Sequence, residues 1–134
     1  MNDTLVIDPS VFVAILSNEP EADAFAAKIR AHPRRVMSAP GYLECAMVAN
    51  RWQSGRADLD AWLERESIAV IAIDHALAVR AADAFARYGK GRHPAGLNFG
   101  DCFFYALASA LDAPLLFKGE DFARTDLRRP GPEN

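Results

Sequence analysis

Cysteine is scarce in this chain of 134 residues: Cys45 and Cys102 stand far apart, and neither belongs to a CxxC pair. A structural zinc site would need more ligands, so both are read as reduced, buried small residues. Long apolar runs are missing too. None reaches the roughly 18 residues of a membrane span. The opening MNDTLVID has no basic region and no long apolar stretch, so no secretory signal is expected and the cytoplasm is the default location. Repeats, low-complexity tracts and linkers are lacking, and the length suits one domain over 1–134 with a short polar tail from about 129. An excess of positive charge is also lacking. The net charge is −3, which taken alone weighs against a nucleic-acid partner. The distribution is uneven, however. KIRAHPRR (28–35) carries four basic groups, and RYGKGRH (87–93) carries Arg87, Lys90, Arg92 and His93. Local basic segments matter more than the total.

What is present is an alternation of apolar strands and helices. TLVID (4–8) is a buried strand that stops at Asp8-Pro9. SVFVAILS (10–17) is a first helix, and Pro20 starts a second through EADAFAAKIRAH. RRVMSA (34–39) is a strand. Pro40 opens a helix over 41–52, and ADLDAWLERE (57–66) is an amphipathic helix. SIAVIAID (67–74) is a continuous apolar strand, followed by a helix over 75–88 that Gly89 ends. A basic loop, 89–96, leads to a helix beginning near Asp101, and PLLFKG (114–119) is the last strand. Strands apolar throughout suit a parallel sheet covered on both faces. The expectation is an α/β domain with a parallel sheet of four to five strands flanked by helices.

The acids carry the chemistry. Ligands of open parallel sheets bind outside the carboxyl ends of the strands. Asp8 directly follows a strand, and Asp121 follows PLLF across the turn KGE. Asp101 begins the helix that feeds PLLF, so it starts near the same edge. Glu44 lies near an end of helix 41–52, among Tyr42, Leu43, Cys45, Ala46, Met47 and Val48, which leave little polar face. Each acid has a structural use as well. Asp8 before Pro9 is a good N-cap, Asp101 favours the helix dipole, Asp121 could cap a turn, and Glu44 could be solvated. Those uses do not explain why all four fall toward one edge. Two like charges at 4 Å repel by about 4 kcal/mol near a protein surface, and a hard divalent cation removes that cost. Oxygen ligands without His or Cys point to Mg²⁺ or Mn²⁺, which would activate a water for phosphodiester hydrolysis. Ser10 and Asn98 stand beside two of the acids, to orient carboxylates or water or simply to cap and turn.

These blocks resemble a known family. VIDPSVFVAILSNEPEA, YLECAMV, GKGRHPAGLNFGDCFFYALA and LLFKGEDFARTDL, in that order over about residues 5–128, are similar to the PIN-domain toxins of VapBC toxin–antitoxin pairs. The resemblance implies an RNA-cleaving nuclease dependent on Mg²⁺ or Mn²⁺. It implies Asp8, Glu44 and Asp101 as the catalytic and metal-binding core, Asp121 as the fourth acid and Ser10 as a polar supporter. It further implies a VapB-type antitoxin lying across the active-site groove, and a homodimer. Where the family commonly has a small hydroxyl residue after the first acid, this chain has Pro9, which lacks an N–H. Asp126 is another acid near the same end and competes with Asp121 as the fourth ligand. Lys90, Arg92 and Lys118 are the expected RNA-phosphate contacts.

Two other readings compete. A phosphoacceptor receiver domain would use Asp74 at a strand end and Lys118 after the last strand, but it leaves Glu44 and Asp101 without roles. A catalytically silent binding module on the same scaffold is the other, since fold does not fix function.

Overall fold

Strand alternation sets the layers. The structure, a computed structural model, describes residues 3–119 and 122–131. Its strands are β1 (Thr4–Ile7), β2 (Arg34–Ser38), β3 (Ile68–Ile71) and β4 (Leu115–Leu116). They pair in the order β3-β2-β1-β4, always parallel. The α-helices are α1 (Pro9–Leu16), α2 (Ala22–Ala31), α3 (Ala39–Ala49), α4 (Gly55–Arg65), α5 (His75–Tyr88) and α6 (Phe99–Leu111). Successive strand side chains point to opposite faces, so the sheet feeds two cores. Val6, Val36 and Leu115 pack with Ala84, Phe104 and Leu107 of α5 and α6. Leu5, Ile7, Met37, Ile68 and Leu116 pack with Phe12, Ile29, Cys45 and Trp62, drawn from α1 to α4.

This division follows from the winding. The chain steps from β1 to β2 to β3 through pairs of helices on one face. It then returns across the other face through α5 and α6, and sets β4 on the free side of β1. Right-handed crossovers oblige a reversal of direction to change faces. Strand order therefore reverses between β1 and β4, where parallel sheets bind ligands.

Helix starts at that edge are fixed by polar caps. Asp8 caps α1 with Pro9 in its first turn. Ser38 Oγ accepts the Gly41 N–H (3.1 Å) at the start of α3. This cap moves α3 two residues ahead of the expected 41–52, so Glu44 lies in the second turn. Asn98 and Asp101 form a reciprocal capping box on α6.

Several expectations are corrected. Pro20 lies in a turn, and α2 starts at Ala22. The run 67–74 contains only a four-residue strand, which is an edge with Ala69 and Val70 exposed. The run 114–119 pairs only through Leu115 and Leu116, which lie beside Val6 and Ile7 of β1.

Candidate active site

Three chain segments bring carboxylates to one hollow of about 290 Å³ at the β1/β4 edge. Asp8 and Ser10 come from the start of α1, Glu44 from α3 and Asp101 from α6. Lys118 enters from beyond β4, and Pro9, Val13, Val48, Phe104 and Phe122 add apolar wall. The sequence carries no mark that singles out Val13, Phe104 or Phe122.

Asp8 divides its two oxygens. Its Oδ2 accepts the Ser10 N–H at 2.9 Å and so caps α1. Its Oδ1 is buried without a hydrogen-bond partner, the one such side-chain atom among the described residues. Buried polar atoms are nearly always satisfied, and leaving one bare costs about 1–3 kcal/mol, more for a charged group. Burial is the largest influence on this carboxyl and raises it from 3.8 to about 7. The Ser10 hydrogen bonds pull the other way, while the charges of Asp101 and Glu44 raise it further.

Glu44 is exposed on α3, yet its carboxylate turns toward α6. One of its oxygens lies only 2.0 Å from where a Cβ on Gly100 would be. Partial burial, then the charge of Asp101, pushes Glu44 above its ordinary range. Asp101 is half-buried at the third position of α6. Its Oδ2 accepts the Asn98 N–H (3.1 Å), and its own N–H donates to Asn98 Oδ1 (2.9 Å). The sequence-level helix-start use of Asp101 is therefore real, and so is its place in the hollow.

Ser10 and Asn98 are both structurally employed. Ser10 Oγ accepts the Lys118 N–H at 2.9 Å, tying α1 to the end of β4. Lys118 Nζ pairs with Glu19 (3.1 Å) and Glu21 (3.2 Å) at the rim, and those carboxylates raise its pKa. Lys90 and Arg92 are exposed in the loop before α6. The Lys90 N–H donates to Leu97 O (2.9 Å), and the Arg92 guanidinium lies 5.7 Å from the Phe85 ring centre.

Asp121 lies outside the described residues. Asp126 does not line the hollow: its Oδ1 accepts a hydrogen bond from the Tyr105 hydroxyl, and it pairs with Arg87 at 3.5 Å. Asp74 accepts the Leu77 N–H (2.9 Å) as the cap of α5. It follows β3 at one edge of the sheet, whereas Lys118 follows β4 at the other. A receiver site needs the two together, so that reading fails.

The donor set suits a hard cation. Asp8, Glu44 and Asp101 offer only oxygen, and one buried oxygen is unmatched. Among the described residues no three acidic, His or Cys side chains already stand close enough to enclose an ion. Mg²⁺ does not need such a cage, because it keeps several waters and binds through one or two carboxylates.

Comparisons with known proteins agree with this architecture. The PIN domain family model matches residues 5–127. The chain is 50% identical over 125 residues to "Ribonuclease VapC" of Mycolicibacterium smegmatis, covering 92% of this chain and 97% of that protein. It is 49% identical over 125 residues to "Ribonuclease VapC30" of Mycobacterium tuberculosis, covering 92% and 95%. In fold it is similar to the structure of VapBC-1 from nontypeable Haemophilus influenzae. The TM-score is 0.72 at 20% identity, over 94% of this chain and 96% of that one. A parallel sheet wound this way, matched along nearly its whole length at half identity, places the chain in the PIN domain family, among the VapC ribonucleases.

Proposed function

We propose that the chain is a metal-dependent endoribonuclease, the toxin of a toxin–antitoxin pair. The observation that carries this reading is Asp8 Oδ1, the buried and unmatched oxygen of a carboxyl that lines a hollow shared with two more acids. Mg²⁺ or Mn²⁺ bound by Asp8, Glu44 and Asp101 would supply Lewis acidity toward a phosphodiester oxygen and would acidify a water for attack on phosphorus. Asp121, after β4 in sequence, is the fourth acid of the set.

The chain's own groups do the positioning. Asp8 keeps Oδ2 on the Ser10 N–H, which fixes the direction of Oδ1. The Asn98 N–H holds Asp101 in the same way. Lys118 stands at the rim, steadied by Glu19 and Glu21, within the hollow that would receive the scissile phosphate. Lys90 and Arg92 hold the RNA backbone leading to it, a charge-based contact indifferent to base identity.

A VapB-type antitoxin is the proposed partner. Leu43 (59% exposed) and Met47 (65%) flank Glu44 along α3, and Phe99 (82%) precedes Asp101 by two residues. Exposed apolar groups around a charged hollow suit a protein segment that brings both apolar contact and a cation. A homodimer belongs to the same reading, supported by an apolar hollow of about 430 Å³ lined by Ala78, Phe85, Phe99 and Phe103. No helix among the described residues is long and apolar enough to cross a membrane, and the proposed place of action is the cytoplasm.

The test is RNA cleavage by purified wild type, Asp101→Asn and Asp74→Asn, with and without Mn²⁺. Asparagine at 101 can still accept the Asn98 N–H, so the fold persists. Cleavage should vanish in Asp101→Asn, stay near wild type in Asp74→Asn, and stop in every protein under EDTA. Full activity in a folded Asp101→Asn protein would sink the assignment. A silent binding module predicts no cleavage by any of the three.

A further inference from the structure

Gly100 occupies the second position of α6, and it is buried. Glycine is among the poorest helix formers, and helical backbone does not require it. The need for it comes from across the interface. A Cβ on Gly100 would sit 2.0 Å from Glu44 Oε1 and 3.1 Å from Glu44 Cδ. The next nearest atom across the interface is Asn98 Oδ1, at an ordinary 3.7 Å. The obstacle is therefore one carboxylate and not the helix packing. On the opposing helix, Gly41 makes a similar close approach: its Cβ would lie 3.2 Å from the Phe104 ring and 3.1 Å from Met37. The two helices that carry Glu44 and Asp101 thus meet where each lacks a side chain.

We infer that Gly100 is a positioning residue, whose missing side chain is the seat that keeps the Glu44 carboxylate turned into the hollow beside Asp101. The inference rests on the metal-dependent reading of that hollow. A methyl group at 100 evicts the carboxylate by rotation of a flexible side chain and leaves α6 in place. The donor set then loses one member, although none of its acids has been changed.

The experiment is calorimetric titration with Mn²⁺ alone, on wild type, Gly100→Ala, Glu44→Ala, the Gly100→Ala/Glu44→Ala double variant and Asp101→Asn, with circular dichroism on each. Gly100→Ala should bind Mn²⁺ about 10- to 100-fold more weakly, the usual loss when a ligand's support is removed. The double variant should bind no more weakly than Glu44→Ala, because alanine at 100 then has nothing to displace. Wild-type affinity in Gly100→Ala, or multiplying losses in the double variant, overturns the inference while Asp101→Asn still reports the metal site. If wild type itself binds no Mn²⁺, the metal reading falls and this inference with it. If Gly100→Ala does not fold, the double variant should fold, and an unfolded double variant overturns the inference.

Discussion

Replacing Asp8 with asparagine should remove activity yet make the metal-free protein more stable at pH 8. In the unfolded chain Asp8 gives up its proton near 3.8, and in the folded protein near 7, chiefly because it is buried. Between those values the folded state holds one more proton than the unfolded state. Stability therefore falls as pH rises through that window, and the loss is complete above it. At about 1.36 kcal/mol per pH unit, the full loss is about 4 kcal/mol, of which about 3 kcal/mol falls between pH 5 and pH 8. The charges of Asp101 and Glu44 add to the shift that burial produces. Asparagine keeps an oxygen for the Ser10 N–H and carries no charge to bury. Urea unfolding in EDTA at both pH values measures the difference. The wild type should lose about 3 kcal/mol more than the variant between pH 5 and pH 8. Saturating Mn²⁺, worth about 2.7 kcal/mol at a hundred times its dissociation constant, should narrow the gap at pH 8 by stabilising only the wild type. Parallel pH profiles for the two proteins would refute the claim that Asp8 is a strained buried charge.

Two smaller perturbations probe the rim. Alanine at Lys90 and Arg92 should flatten the salt dependence of single-stranded RNA binding, by roughly 0.7 in log–log slope for each lost phosphate contact; an unchanged slope returns the loop to plain solvation. Ser10→Ala removes the acceptor of the Lys118 N–H and should cost about 1 kcal/mol, seen as a melting point lower by roughly 3 °C; an unaltered melt would mean that water replaces the bond without loss.

Much of the site could be read from the sequence because strand ends and helix starts are marked by side chains. Asp8-Pro9 announces both a boundary and an acid, and α5 runs over 75–88 and is ended by Gly89 as expected, whereas the capping box starts α6 at Phe99, two residues ahead of the expected start near Asp101. Other features have no local mark. SIAVIAID reads the same for a central strand as for an edge, and only its pairing with β2 alone reveals that Val70 faces outward. Where β4 pairs is a fact held by a distant segment, β1. Lys118 reads as an open cation, but its partners Glu19 and Glu21 come from the turn after α1, nearly a hundred positions earlier. Gly100 shows no periodicity at all, since its value lies in what approaches it from α3.

The pairing of residues 6–7 with 115–116 also bears on when the activity can exist. Contacts between such distant positions form late, because closing a long loop costs entropy before any contact rewards it. Asp8 and Glu44 are synthesised early, but domains generally fold as units. Asp101 and the Ser10–Lys118 tie arrive only with the last quarter of the chain. An interrupted translation product ending before α6 would hold Asp8 and Glu44 but lack Asp101 and the Lys118 tie. The proposed site can therefore assemble only once the chain is nearly finished.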